Sequence, residues 1–253
     1  LEAIQQIQRL RHHPSLALWC GNNEVLVGWQ NWGWQNAYNI HGADSVGMWN
    51  AYERLFRRLL PDLVDEWDPG RSYTETSPLS NWGRIENFFS SSMHYWGVWH
   101  GGDGFDGYER YVGRFVSEYG FQSFPESKTI QTFAEPTEWT LESPVMQYRQ
   151  KSYIGNEEIL RRIEERYRPP KNFENFLYKS QLVQRDGMAA AIRAHRLNKG
   201  HCMGTLFWQL NDVWAGPSWS AIDHLGRKKA FFYALEELYA PVLIVPYWNE
   251  DSL

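Results

Sequence analysis

The sequence predicts an α/β fold in which short parallel strands alternate with helices. Apolar runs typical of buried strands occur near residues 16–20, 71–76, 93–97, 114–118 and 203–208. Amphipathic segments separate these runs, and stretches rich in tryptophan, glycine and asparagine follow the strand ends. Such an alternation is typical of a (β/α) barrel, whose site lies at the carboxyl ends of its strands. Because a full barrel has eight strands, we expect the remaining strands to come from residues absent from this sequence.

Helical periodicity supports the same fold class. Apolar residues at helical spacing predict helices over residues 1–12, 45–60, 157–167, 173–199 and 227–239. In contrast, segment 28–47 has no period and is predicted to be a long loop, and segment 80–92 is predicted to be a second loop. Residues 241–246 are predicted to form a strand that begins another element.

Charge and composition exclude several classes of partner. The net charge is −5 and no Lys/Arg block occurs, so we expect no nucleic-acid partner. No apolar run approaches the roughly 20 residues that span a membrane. The two cysteines, Cys20 and Cys202, are predicted to be buried free thiols, and no metal or cofactor motif is found.

Aromatic residues make up 16% of the chain, which contains 14 tryptophans. Several of the tryptophans fall in loop-like stretches. One interpretation is that these side chains pack in the core. A sugar site is the other, because a flat apolar indole face matches the C–H face of a pyranose ring. The tryptophans in such stretches are Trp29, Trp32, Trp34, Trp96, Trp99, Trp208, Trp214 and Trp219.

Two glutamates stand at the ends of predicted strands. Glu24 follows the run 16–20 and two asparagines, and Glu118 lies between Ser117 and Tyr119. Cleavage of a glycosidic bond needs two carboxyl groups, one to protonate the leaving oxygen and one to attack or to activate water. We expect Glu24 and Glu118 to face each other across one site, although a chain with 30 acidic residues allows other pairs.

Three motifs carry a specific resemblance. Residues 17–24 (ALWCGNNE) resemble the acid/base motif of glycoside hydrolase family 2. Residues 115–125 (FVSEYGFQSFP) resemble the nucleophile motif of the β-mannosidase branch of that family, and residues 204–212 (GTLFWQLND) are similar to its last barrel strand. The resemblance implies that residues 1–240 form strands four to eight of a catalytic (β/α)8 barrel. Residues 241–253 would then begin a following β-sandwich domain or a linker.

The resemblance also implies roles for individual residues. Glu24 would be the general acid/base and Glu118 the nucleophile. Asn23 would hydrogen-bond the sugar 2-hydroxyl, and Trp208 would form the floor beneath the sugar. The peptide bond between Trp208 and Gln209 would be cis.

Strand six contributes His94 and Trp96, which share one face of the strand because they are two residues apart. Both are predicted to bind substrate, as is Tyr119. The residue that hydrogen-bonds the nucleophile stays open between Tyr95, Tyr119 and another group. Two further tryptophans are predicted to be pocket walls, namely Trp32 and Trp214.

The resemblance implies a retaining, exo-acting β-mannosidase without a metal or cofactor, whose substrate is a β-mannoside oligosaccharide or glycoconjugate. In a retaining enzyme the two carboxyl groups lie about 5–5.5 Å apart. Two alternatives stay open: another family 2 glycosidase of the β-galactosidase or β-glucuronidase type, and a catalytically silent carbohydrate-binding fragment. The residues themselves indicate no compartment, and only the resemblance favours an extracytoplasmic one.

Overall fold

A computed structural model describes residues 1–246 and divides the chain into two compact units, Leu1–His94 and Tyr95–Leu253. The predicted start of a further domain at 241–253 falls largely outside the described residues. Residues 241–246 are described and form neither helix nor strand, so the strand predicted there is wrong. An apolar run becomes a strand only where a neighbouring strand satisfies its backbone hydrogen bonds.

The first unit contains five α-helices and three short strands. In chain order they are α1 (Glu2–Leu10), β1 (Leu18–Cys20), α2 (Val25–Asn31), α3 (Trp34–Ala37), α4 (Gly42–Arg54), α5 (Leu60–Trp67), β2 (Ser72–Thr74) and β3 (Ser92–His94). A π-helical turn at Leu55–Leu59 joins α4 to α5, and a 3₁₀ turn occupies Ile85–Phe89.

Strands β1 and β2 pair in parallel, with Trp19 opposite Tyr73. The pairing continues beyond the regular strands, because Gly21 donates its backbone N–H to the Thr74 carbonyl and Ser77 donates to the Asn22 carbonyl. Since the carboxyl ends of parallel strands meet at the same edge, residues 22–24 come to lie beside residues 75–77.

The loop predicted over 28–47 is wrong, because this stretch is largely helical in α2, α3 and the start of α4. No proline interrupts it, and aromatic contacts stabilise helices that the sequence pattern does not show. The rings of Trp29 and Trp49 stack at 6.2 Å, and those of Trp32 and Trp34 meet edge to face at 6.0 Å. Tertiary contacts of this kind routinely override local preference.

The second unit begins at Tyr95 and contains six α-helices and one regular strand among its described residues. In chain order they are α6 (Gly107–Arg110), β4 (Phe115–Glu118), α7 (Ser127–Ile130), α8 (Pro144–Arg149), α9 (Gly155–Arg166), α10 (Phe173–Leu197) and α11 (Ala230–Leu238). A 3₁₀ turn lies at Pro136–Glu138. The predicted strands and helices of this unit are therefore present, except that the strand expected at 203–208 is irregular.

Segment 203–208 nevertheless runs beside β4 in parallel. The Val116 N–H donates to the Gly204 carbonyl at 2.9 Å, and the Leu206 N–H donates to the Val116 carbonyl at 2.9 Å. The irregular segment is held on its other side by His195, whose Nδ1 lies 2.8 Å from the Thr205 hydroxyl. Trp208 and its neighbours in sequence therefore lie at the same end of this parallel pair as Glu118.

Helix α10 supplies the central contact of the second unit. Its buried Gln184 amide nitrogen lies within 2.9–3.2 Å of the carbonyl oxygens of Phe121, Trp219 and Ser220. The amide oxygen of the same side chain accepts a hydrogen bond from Ser123 at 2.7 Å. One side chain therefore joins the segment after β4 to the aromatic segment near residue 220.

Helices and short parallel strands alternate along the chain, which confirms the α/β class. The described residues form no closed barrel, so the partial (β/α)8 architecture stays a prediction. Within residues 1–246, no helix combines the length and the apolar character needed to cross a bilayer.

Replacing Gln184 by leucine should lower the free energy of unfolding by about 3 kcal/mol, because buried carbonyl groups lose their donor. Chemical denaturation of the full-length protein measures this change. Exposed Gln131 is the matched control, and its leucine variant should stay within about 0.5 kcal/mol of wild type. Equal stability of the two variants would contradict the bridging role of Gln184.

Burial lowers the pKa of His195 to about 3. Below its ordinary pKa of 6.5 the unfolded chain takes up a proton that the fold excludes, so this residue costs stability as pH falls from about 6.5 towards 3. At pH 5 the cost is about 2 kcal/mol. In His195→Asn, the loss of unfolding free energy between about pH 7.5 and pH 5 should shrink by that amount. The exposed His13→Asn variant should keep the wild-type pH dependence.

Candidate active site

The loop that carries Glu24 is fixed by the side chain of Asn22. The Asn22 amide nitrogen donates to the Glu75 carbonyl at 2.8 Å, while its amide oxygen accepts from the Val25 N–H and the Thr76 hydroxyl. Glu24 itself has φ of +62°, in the left-handed region, and immediately precedes α2. Non-glycine residues held in this region recur at functional sites. The hydrogen bonds of the Asn22 amide therefore serve to fix this loop.

The Glu24 carboxylate is held by His94. The His94 Nδ1 atom lies 2.8 Å from Glu24 Oε1, and the Nε2 atom lies 3.1 Å from the Ser77 hydroxyl. The His94 side chain is 3% exposed, whereas that of Glu24 is 21% exposed. His94, predicted to bind substrate, therefore contacts the predicted acid/base residue. The carboxyl group keeps a solvent-accessible part that can reach a ligand.

Asn23 and Trp32 belong to the same unit as Glu24. Asn23 is exposed, and its backbone forms a parallel bridge with Ser77, so it stays next to Glu24. Trp32 lies at the end of α2 and is 43% exposed. A rise of 1.5 Å per residue separates Trp32 from Glu24 by roughly 12 Å along the helix. Trp32 is therefore exposed about two helical turns from Glu24, and its role as a pocket wall stays a prediction.

Glu118 is the last residue of β4, and its carboxylate is buried. The indole N–H of Trp96 donates to Glu118 Oε1 at 3.0 Å. Of the partners left open by the sequence, Tyr95 donates its hydroxyl to Asp103 at 2.6 Å. Trp96, predicted to bind substrate, is thus a hydrogen-bond partner of the predicted nucleophile.

Tyr119 points away from this carboxylate. Its side chain is fully buried, its hydroxyl lies 2.7 Å from that of Thr205, and its ring meets His195 edge to face at 4.8 Å. Burial raises the pKa of the Tyr119 hydroxyl well above its ordinary value. Successive residues of a strand face opposite sides, so a residue that follows Glu118 directly cannot share its face. The predicted contact of Tyr119 with substrate has no support here.

Trp208 lies beside the segment that follows Glu118. Its backbone N–H donates to the Tyr119 carbonyl at 2.8 Å, and its own carbonyl approaches Gly120 so closely that any side chain there would collide with it. The peptide bond between Trp208 and Gln209 is cis, as expected. The Trp208 side chain is 39% exposed, which leaves part of the indole available to a ligand.

Trp214 is held by a different set of contacts. Its indole N–H donates to the Arg149 carbonyl at 3.1 Å, and the cationic groups of Arg149 and Lys151 lie 4.9 and 4.8 Å from its ring centroid. Two cationic groups therefore already lie against the electron-rich Trp214 ring. Trp214 therefore joins the 144–151 region rather than presenting a bare face.

The sequence assigned no individual role to three residues that shape the two carboxylate environments. Asn22 and Ser77 organise the surroundings of Glu24 through the hydrogen bonds described above. Trp219 meets the ring of Trp96 at 6.0 Å and that of Trp99 at 5.8 Å, so it supports the indole that contacts Glu118. Its position in an aromatic segment was the available signal, whereas Ser77 had none.

Each unit thus presents one glutamate at the end of a strand, held by one N–H-bearing ring. His94 can donate or accept a proton, and Trp96 can only donate. A carboxyl group beside imidazole can change its protonation state with its partner's help. An indole N–H donates a hydrogen bond to a neighbouring carboxylate. A carboxylate that accepts such a bond is suited to act as a nucleophile.

Comparison with known proteins shows what the chain resembles. It is 32% identical over 251 residues to β-mannosidase B of Aspergillus fumigatus, and 32% identical over 249 residues to that of Aspergillus niger; both alignments cover 96% of the chain. The chain spans about 30% of the length of these curated relatives. A search against protein-family models gave no match.

Solved structures agree with the sequence comparison. The chain matches β-D-mannosidase from Dictyoglomus thermophilum with a TM-score of 0.80 and 34% identity, over 94% of the chain and 28% of that protein. An exo-chitosanase from Amycolatopsis orientalis shares the fold, with a TM-score of 0.59 and 14% identity over 96% of this chain and 27% of its own. The chain therefore matches one segment of these β-mannosidases, in agreement with the resemblance of its motifs to glycoside hydrolase family 2.

Proposed function

We propose that the protein hydrolyses terminal, non-reducing β-D-mannose residues with retention of configuration, by double displacement. The observation that carries this proposal is that both predicted glutamates stand at strand ends, each with its carboxylate within hydrogen-bond distance of a ring nitrogen. The similarity to curated β-mannosidases supports the choice of sugar. The remaining barrel strands would come from a part of the protein that corresponds to the unmatched region of these relatives.

In the first step, the Glu118 carboxylate attacks the anomeric carbon and forms a covalent bond to it. The bond between that carbon and the leaving oxygen breaks, and protonated Glu24 gives its proton to that oxygen. Trp96 would orient the attacking carboxylate through its bond to Oε1.

In the second step, water attacks the anomeric carbon and releases the Glu118 carboxylate. Glu24, now ionised, takes one proton from that water and returns to its starting state. His94 would keep the Glu24 carboxyl group in one orientation through both steps. This mechanism requires the two carboxyl groups to lie about 5–5.5 Å apart in the complete enzyme.

The other residues have separate proposed roles. Asn23 is exposed next to Glu24 and would contact the sugar 2-hydroxyl, while the exposed face of Trp208 would lie beneath the sugar ring. Trp32, about two helical turns from Glu24, would contact the aglycone side rather than the mannose. A different family 2 specificity and a binding-only role are the outcomes against which the following test discriminates.

Glu118→Ala should abolish hydrolysis of an aryl β-D-mannoside by the full-length protein, because no carboxylate remains to attack the anomeric carbon. Added azide should restore turnover and yield α-mannosyl azide, since azide then attacks from the side that Glu118 occupied. Product configuration is read by NMR, with the β-galactoside and β-glucoside run in parallel. The exposed Glu109→Ala variant should retain wild-type turnover.

A β-mannosyl azide product would contradict the retaining mechanism. Turnover of another glycoside in place of the mannoside would contradict the proposed specificity. Failure of the folded wild-type protein to turn over any of the three glycosides would favour the binding-only role.

Trp96→Phe should lower kcat/KM by about 10- to 100-fold, the value of one hydrogen bond to a charged group. An aromatic ring is retained while the N–H donor to Glu118 is lost. Trp99→Phe is the matched control, because the Trp99 indole donates to Ser152 rather than to Glu118. Equal kcat/KM losses in the two variants would indicate that Trp96 acts through packing alone.

A further inference from the structure

The first unit contains an open cavity of about 540 Å³ that the proposed mechanism does not use. Three helices that follow Glu24 in the chain build this cavity, namely α2, α3 and α4. Its lining consists of aromatic, amide, hydroxyl and aliphatic side chains, from Trp29, Gln30, Gln35, Ser45, Val46 and Trp49. None of these side chains carries a charge.

Helical spacing and ring packing bring the lining residues together. Ser45 and Trp49 are four residues apart on α4, so they share one face of that helix. The ring of Trp29, on α2, stacks with that of Trp49, with centroids 6.2 Å apart and planes inclined by 22°. The contact between α2 and α4 therefore places two nearly parallel indoles at one cavity.

Two further contacts hold the Trp49 ring. The Tyr52 ring stacks with it at 5.1 Å and 7°, and the Arg57 guanidinium lies 5.4 Å from its centroid. Arg57 is itself paired with Glu75 at 2.6 Å. A side chain that is already held in one conformation loses little entropy when a ligand packs against it, so Trp49 is preorganised for binding.

The polar groups at this cavity are available to a ligand. Among residues 1–246, no hydrogen bond partner is found for the side chains of Trp29, Gln30, Gln35, Ser45 and Trp49. Two indole N–H groups, two amides and one hydroxyl supply both donors and acceptors. Apolar ring faces beside uncharged hydrogen-bonding groups match a neutral sugar, which has C–H faces and hydroxyl groups.

The cavity is close to Glu24 along the chain. Helix α2 begins directly after Glu24, and a rise of 1.5 Å per residue places Trp29 roughly 7.5 Å along its axis. A general acid must contact the oxygen that leaves, so the group attached to that oxygen lies beside the acid. A sugar residue farther along the leaving group can therefore reach Trp29.

We propose that the cavity lined by Trp29 and Trp49 is an aglycone subsite, which binds a neutral sugar residue of an oligosaccharide leaving group. This inference rests on the proposed function of Glu24 as the general acid/base. It makes a neutral oligosaccharide, rather than a mannoside with a short aglycone, the preferred class of substrate. The competing interpretation is that both indoles serve only to pack α2 against α4.

The test compares hydrolysis of β-1,4-mannotetraose and of p-nitrophenyl β-D-mannoside by the full-length protein. In Trp49→Ala, kcat/KM for mannotetraose should fall by about tenfold, which corresponds to losing the contact of roughly 55 Å² of apolar surface. The value for the aryl mannoside should change by less than about twofold, because its aglycone is too short to fill the cavity. Equal losses on both substrates, or no loss on either, would overturn the subsite.

Gln30→Ala tests the same cavity without altering its packing, because Gln30 is exposed. It should lower kcat/KM for mannotetraose by about fivefold, the value of one hydrogen bond, and leave the aryl mannoside unchanged. Exposed Gln6→Ala, on α1 of the same unit, is the matched control for this variant. Trp139→Ala, which removes a half-buried indole of the second unit, is the control for Trp49→Ala. A selective loss on mannotetraose in either control would also contradict the assignment.

A readout independent of turnover separates this inference from the proposed function. In calorimetric titrations of the Glu118→Ala protein, mannotetraose should bind about tenfold more tightly than methyl β-D-mannoside, and Trp49→Ala should remove this difference. The same binding pattern in a protein whose wild type shows no glycosidase activity would retain the subsite and reject the proposed function. Equal affinity for the two sugars in a protein whose wild type is active would reject the subsite and leave the proposed function intact.

Discussion

The need to satisfy backbone polar groups beyond the ends of paired strands determines the surroundings of Glu24. Strands β1 and β2 pair over only three residues each, and the chain then continues as irregular backbone. The Asn22 side chain bonds to Val25, Glu75 and Thr76 and takes over the hydrogen bonding that a longer sheet would provide. Glu24 can adopt a left-handed backbone conformation because this network holds the residues on both sides of it.

The second unit solves the same problem with a side chain from a helix. Gln184 reaches from α10 to the carbonyl groups that follow β4 and to those near residue 220. An amide is suited to this position because it donates and accepts at once, whereas an apolar side chain would leave buried carbonyls unsatisfied. In both units a side-chain amide thus stabilises irregular backbone close to a glutamate that ends a strand.

The two glutamates differ in the chemistry of their partners. Glu118 is buried against an indole, which donates a hydrogen bond and never accepts one. Glu24 is partly exposed against an imidazole, whose two nitrogens can exchange donor and acceptor roles. A carboxylate nucleophile must be ionised when it attacks. A general acid/base must instead change its protonation state in each half-reaction. The proposed assignment of the two residues follows this difference.

The sequence by itself determined the α/β class, the positions of Glu24 and Glu118 at strand ends and the resemblance to β-mannosidases, because these depend on apolar runs and contiguous motifs. Only the tertiary structure decided which groups contact the carboxylates. His94 is 70 residues from Glu24, and Trp96 is 22 residues from Glu118. The structure also turned Tyr119 into the core and made helices of segment 28–47. Hydrogen bonds and ring contacts between residues distant in the chain form only when packing brings them together, and no local pattern records them.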